Sequence, residues 1–241
     1  LVEAASWRGF DNLFLPLGLL IFLWVHAANP LDELLMLAGL FALSILVFKA
    51  IFRRIGLSKH AAHVYVAAVF LVIAGASIQN AIIPILVLAA HAWSRISAPC
   101  EARFPDLDIV AGLALVSFGW LALGNATGWN AITFYGMTAM GMVMGLSALA
   151  MMRHGVLIRV GFLLIVGLIL CLLYAVALSV NPESTNWNGP MWPVVLACLL
   201  LAAGPPSLVP RAFSNARVTK VTLSALSLPL ATYIVSLGRL A

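Results

Sequence analysis

Six residues between positions 95 and 108 form the densest chemical grouping in the chain: Arg95, Cys100, Glu101, Arg103, Asp106 and Asp108. Asp106 and Asp108 make an Asp-x-Asp pair, a spacing that lets two carboxylates share the hard cation Mg²⁺. Arginine guanidinium groups at 53, 54 and 103 could grip a phosphate bidentately beside it. That constellation describes a membrane enzyme acting on a lipid-linked phosphate, with Arg53, Arg54 and Arg103 on the phosphate and Asp106 and Asp108 on the metal. The bland alternative is a solvated loop, because Asp-x-Asp is short and common. Both aspartates are expected at the water boundary, supporting no buried pair.

Histidine offers a second chemistry. Counted from a turn at Gln79, His63 lies 16 residues back and His91 lies 12 residues on. At the helical rise these are depths of about 24 Å and 18 Å, so the two rings fall within about one turn of each other. Two imidazoles at similar depth could ligate haem or touch a quinone, but only if they also face one another. The commoner outcome is two unrelated histidines, so haem is not expected. His60 and His154 stand beside Lys59 and Arg153 and suit headgroup contacts. Cys171 and Cys198 lie in apolar runs and read as small hydrophobes. An odd count of three cysteines without CxxC argues against disulfides and zinc. Asn125-Ala-Thr127 is a glycosylation sequon in what reads as a short loop near the membrane.

The elements that must hold these residues are set by composition. Of 241 residues, 63% are apolar and only 9% charged, with a mean hydropathy of +1.10. A soluble domain is about half apolar and about a quarter charged. Lipid is therefore the expected solvent for most of the chain, which excludes a soluble enzyme, a disordered chain and a secreted disulfide scaffold. The expected fold is all-α, a single transmembrane helical bundle over residues 1–241 without an extramembrane domain. Nine spans are read near 13–29, 33–52, 61–78, 80–95, 109–125, 130–152, 159–180, 190–206 and 221–239. The third and fourth are also readable as one bent hairpin turning at Gly75, Ser77, Gln79 and Asn80. Residues 1–12, with Trp7 and Phe10 around Arg8, suit an interfacial segment rather than a signal peptide. A start without Met fits a piece of a longer protein.

Charge supports the threading. With the N-terminus inside, 12 of the 13 Lys and Arg residues fall on inner segments, and only Arg239 does not. Removing or adding one span would put half of these groups on the wrong side. The net charge of +5 is thus explained by topology, and nucleic-acid binding is rejected for want of a basic stripe with interleaved aromatics. Trp24, Trp120, Trp129, Trp187 and Trp192 fall at proposed outer ends, where indole favours the headgroup layer. The expected location is a bacterial inner membrane, with membrane lipid as the surrounding partner.

Two further patterns concern the helices. Pro16, Pro84, Pro193 and Pro229 lie inside proposed spans and Pro205–Pro206 close the eighth. Each could kink its helix and expose backbone at a transport site, although membrane helices carry Pro without such a role. The sixth span reads FYGMTAMGMVMGLSALAMM, with Gly141 and Gly145 forming a GxxxG step. Small residues there point to tight helix packing, or to a face for a second copy or a partner membrane subunit. The sharper reading is a sliding interface or a Met-lined pocket wall.

Away from helix ends the spans hold no Asp, Glu, Lys or Arg, so a strongly charged cargo is not expected at the centre. The leading functional reading is a protein that transports or binds a neutral or amphipathic small molecule. Its competitors are the lipid-phosphate enzyme and a membrane subunit of a larger complex, redox-active through His63 and His91. Prenyltransferase aspartate pairs, the aspartate-rich signature of CDP-alcohol transferases, Glu- or His-rich metal motifs and a nucleophile elbow are all absent.

Overall fold

A computed structural model describes residues 16, 19–20, 22–24, 26–51, 58–75, 78–180 and 190–238. Among them the regular structure is helical throughout. Helices α1 (Leu31–Ile51), α2 (Lys59–Gly75), α3 (Ile78–Ser97), α4 (Pro105–Thr127), α5 (Ile132–Ala150), α6 (Val156–Val180), α7 (Trp192–Leu208) and α8 (Arg217–Gly238) follow in order. A 3₁₀ turn at Pro210–Phe213 precedes α8, and further helical residues occur between 16 and 26.

Helix boundaries have local causes. Asp32 and Glu33 in the first turn of α1 and Lys49 in its last match the macrodipole. Pro105 opens α4, where a missing N–H costs nothing, and Asp106 and Asp108 occupy its first turn. Gly128 ends α4 with φ +67°, a left-handed cap that suits glycine. Pro193 sits in the first turn of α7, so it starts that helix and does not kink its middle. Helix α3 begins at Ile78, which places Gln79 and Asn80 in its first turn instead of in a hairpin loop. The sequon at Asn125 likewise lies in the last turn of α4, not in a loop.

Helix α5 is the axis. Its membrane-length window is 83% buried, against 6% for α6 and 0% for α1. A helix apolar all round is stable only when surrounded, and α3, α7 and α8 pack along α5. Met137, Met140, Met142, Ala139, Leu146 and Leu149 fill its contacts. Leu157, Leu164, Leu168 and Leu172 on α6, and Leu35, Met36 and Leu46 on α1, are exposed. Apolar surface on that scale would be a liability in water. Among the described residues five helices, α1, α4, α5, α6 and α8, are long and apolar enough to cross a membrane, and two more, α7 and the part of α3 from Ala81 to Ser97, are shorter apolar helices. The regular structure of the described residues is all-helical and compatible with an integral membrane protein.

The GxxxG face is filled from within the same chain. A Cβ on Gly141 would stand 2.9 Å from the Ala225 Cβ and 3.2 Å from the Cys198 Sγ. On Gly145 it would meet the Ala202 carbonyl oxygen at 3.0 Å and Val221 at 3.2 Å. Helices α7 and α8 thus occupy the surface read as open to a second copy or partner subunit. Trp120 also departs from its expected interfacial place. It is buried against Phe134 and Tyr233, and its indole N–H donates to the Thr138 hydroxyl at 3.1 Å. Burial with a satisfied donor makes it a core residue.

Candidate functional site: a buried polar cluster

Four helices bring polar side chains together at one end of the bundle. Helix α2 contributes Tyr65, on the same buried face as Ala61 and Ala68. Helix α3 contributes His91, Ser94 and Arg95 from its last two turns, α4 contributes Asp106 from its first turn, and α8 contributes its first residue, Arg217. His91 and Ser94 have no exposed surface, and Asp106 and Arg217 are each 2% exposed.

The connections run in sequence. Asp106 forms an ion pair with Arg95, whose side chain is 26% exposed, so the pair spans the boundary of the interior. The Tyr65 hydroxyl is 2.8 Å from His91 Nδ1. The Ser94 hydroxyl donates to the His91 carbonyl at 2.9 Å and accepts from Arg217 Nη1 at 3.3 Å. Arg217 donates further to the carbonyls of Phe213, Ala98 and Pro99. Its guanidinium therefore caps α3, where orphan carbonyls and the negative end of the macrodipole offset a buried cation. Arg95 and Arg217 both bring positive charge to bear on the His91 ring. Two atoms of the cluster have no hydrogen-bond partner: His91 Nε2 and Asp106 Oδ1. Buried polar atoms are rarely left so, and they draw attention to what else they could bind or carry.

The residues singled out by the sequence are distributed unevenly around this cluster. Asp106 is inside it, buried and paired, which corrects the expectation of a solvated carboxylate at the water boundary. The physical reason is that the first turn of α4 packs against α3, where Arg95 meets it. Asp108, two residues on, is half-buried. Arg103 is exposed, with its guanidinium carbon 5.2 Å from the Phe104 ring centroid. Glu101 ties the loop to the start of α8, its backbone N–H donating to the Ser214 carbonyl at 2.7 Å and its carboxylate accepting from the Ser214 hydroxyl at 2.9 Å. Cys100 is half-buried near Arg217. Arg53 and Arg54 lie outside the described residues. His63 and His91 are not brought into a common environment, since His63 is exposed and His91 is enclosed. Among the described residues no three His, Cys, Asp or Glu side chains gather as metal ligands.

Tyr65, Ser94 and Arg217 were not singled out by sequence reasoning. Tyr65 is a lone polar residue within an apolar run, whereas Ser94 stands beside Arg95 and Arg217 lies in the polar stretch from Ser214 to Lys220, so neither of those two stands out from its neighbours. The chain matches no protein family, no curated protein and no solved structure in the comparisons made.

Proposed function

We propose that the chain is a nine-span protein of a bacterial inner membrane, N-terminus inside, that binds or moves a neutral or amphipathic small molecule. The observation that supports this reading best is the Tyr65–His91–Asp106–Arg95 cluster, enclosed among apolar helices and carrying two unpartnered polar atoms. Ionisable groups are expensive in a lipid-solvated protein, and where they are retained they commonly line a substrate or ion path. The lipid-phosphate alternative needs Asp106 and Asp108 jointly available to a metal, and the engagement of Asp106 by Arg95 favours a carrier over that enzyme.

The test is transport in proteoliposomes of the full chain. Neutral tracers would be a labelled polyol and a labelled hexose, read by counterflow. The amphipathic tracer would be a short-chain fluorescent phospholipid, read by dithionite quenching. Saturable movement of at least one tracer above protein-free vesicles is expected, falling when His91 is replaced by Ala. If none moves faster than in protein-free vesicles, the carrier reading fails.

A further inference from the structure

Arg217 is a buried cation in an unfavourable place on its own helix. It is the first residue of α8, where the macrodipole is positive, and it is 2% exposed. Its acceptors are neutral: the Ser94 hydroxyl and the Ala98 and Phe213 carbonyls, each at 3.3 Å, and the Pro99 carbonyl. Ser94, Ala98 and Pro99 belong to the last turn of α3 and the residues just beyond it. The charge is thus held by a neighbouring helix end and keeps its place only while that end is within reach. A second tie runs beside it, where the Glu101 N–H donates to the Ser214 carbonyl at 2.7 Å and the Ser214 hydroxyl donates to the Glu101 carboxylate at 2.9 Å. On the same segment the Lys220 ammonium donates to the Ala212 carbonyl and the Asn215 side-chain oxygen. Between these ties Ala216 has φ +45°, a left-handed conformation that is costly for a residue with a Cβ. Such backbone persists where its surroundings over-determine it.

We infer that residues 98–104 and 210–217 form a latch across the basic end of the bundle, with Arg217 as its bolt, and that this end opens locally when Arg217 leaves the end of α3. The opened end is one mouth of the carrier, and that part rests on the carrier reading above. The ties join parts of the chain 113 to 123 residues apart, so the latch closes one loop region onto another and not onto its own helix. Apart from Ala98, Phe213 and Arg217, the two segments are exposed or half-buried. Parting them therefore costs hydrogen bonds more than apolar burial, which is the make-up of a segment that opens while the core stays shut. On opening, Arg217 gains water, the carbonyls at 98 and 99 are hydrated, and Ala216 is free to return to negative φ. Both positions of the bolt leave the guanidinium solvated or bonded, so the segment has two tolerable states.

The chain carries its own reporters of this motion. Cys100 stands in the latch loop between Pro99 and Glu101 and is half-buried. Cys198 is 1% exposed, in the core beside α5, with its thiol donating to the Met137 and Ala225 carbonyls at 3.5 Å. A water-borne thiol reagent that gains access to Cys100 alone reports the latch, and one that also gains Cys198 reports separation of the helices.

The experiment has two arms. In the first, a charged maleimide is added to the full chain in detergent, and the label is located by peptide mass spectrometry over time. Wild type should label slowly at Cys100 and not at Cys198. Arg217→Gln should speed Cys100 by about tenfold or more, the worth of one hydrogen bond to a charged group, with Cys198 still unlabelled. Arg217→Lys keeps the charge but not the planar fork that serves several acceptors at once, and should fall between. Cys100 labelled at the wild-type rate in folded Arg217→Gln overturns the latch, as does labelling of Cys198 in step with Cys100. If the Arg217 variants do not fold, Ser214→Ala decides: a rise of about twofold to fivefold at Cys100 is expected, and an unchanged rate overturns the latch. In the second arm, Glu101→Cys and Ser214→Cys are combined with Cys100→Ser and oxidised in proteoliposomes with the tracers named above. Cross-linking should stop any tracer that moves before oxidation, and a reductant should restore it. Tracer movement undiminished by complete cross-linking overturns this end as the mouth. If no tracer moves before oxidation, the carrier reading fails, and the alkylation arm alone decides the latch.

Discussion

Asp106 and Asp108 stand two residues apart, and about 200° of helix rotation separates their directions. One carboxylate is buried against Arg95 and the other is half-buried. Removing one member of an enclosed ion pair leaves the other charge unmatched, at a cost of about 3–5 kcal/mol. Arg95 is 26% exposed, so water relieves part of that cost and the lower end, about 3 kcal/mol, is expected here. Asp106→Asn should therefore lower the thermal midpoint in detergent clearly more than Asp108→Asn, and equal midpoints would show that the pair contributes little. The same rotation separates His63 from Tyr65. Helical rise alone places His63 and His91 at similar depth, but two residues of rotation turn His63 outward while Tyr65 points in. Depth was legible in one sequence, and rotation about the helix axis was not. Tyr65 and His91 are 26 residues apart and Arg217 and Ser94 are 123 apart, so neither pairing has a local signature.

At the scale of the element, α5 shows what a small-residue pattern can and cannot say. Gly141 and Gly145 announced a close backbone approach, and such an approach is present. Which helix makes it was open in the sequence, because GxxxG specifies proximity and not the identity of the neighbour. The neighbours are α7 and α8 of the same chain. A second close approach, at Gly112 with the Val218 Cγ1 2.7 Å from an added Cβ, lacks the motif and left no signal of its own. Leucine at 141 or 145 would drive a branched side chain into Ala225, Cys198 or the Ala202 carbonyl. Overpacking of this kind costs about 1–3 kcal/mol, and more where the obstacle is backbone, as at 145. Gly161 on α6 has open space around it. There leucine should be neutral or gain up to about 1 kcal/mol of helix propensity. The order of thermal midpoints in detergent should be Gly161→Leu highest, then Gly141→Leu, then Gly145→Leu. Similar midpoints for all three would mean that α7 and α8 yield without cost.

Across the whole molecule, charge and topology constrain one another. Helix α3 ends, and α4 and α8 begin, at the end of the bundle that carries Arg95, Arg103 and Arg217, and Glu101 bonds Ser214 there. The opposite end holds Thr127 and Tyr233 in mutual contact, with the Trp129 carbonyl accepting from Tyr233 at 3.3 Å, and no charged side chain takes part. Basic residues resist translocation, so an end enriched in them is expected to remain on the side of synthesis. This asymmetry was readable from the sequence because hydropathy and charge counting need no knowledge of which helices touch. It supports the N-inside orientation through the alternation of helix directions, and a single misplaced span would reverse every later loop. Ser58 is exposed at the start of α2, at the basic end, and Ala126 is exposed in the last turn of α4, at the other. With Cys100 replaced by Ser, a membrane-impermeant maleimide applied to intact cells should label Ala126→Cys, and should label Ser58→Cys only after permeabilisation. Both positions lie at helix ends, clear of the buried cluster, so neither substitution disturbs the packing on which the comparison depends. The reverse pattern would invert the bundle, and labelling of both in intact cells would place the two ends on one side.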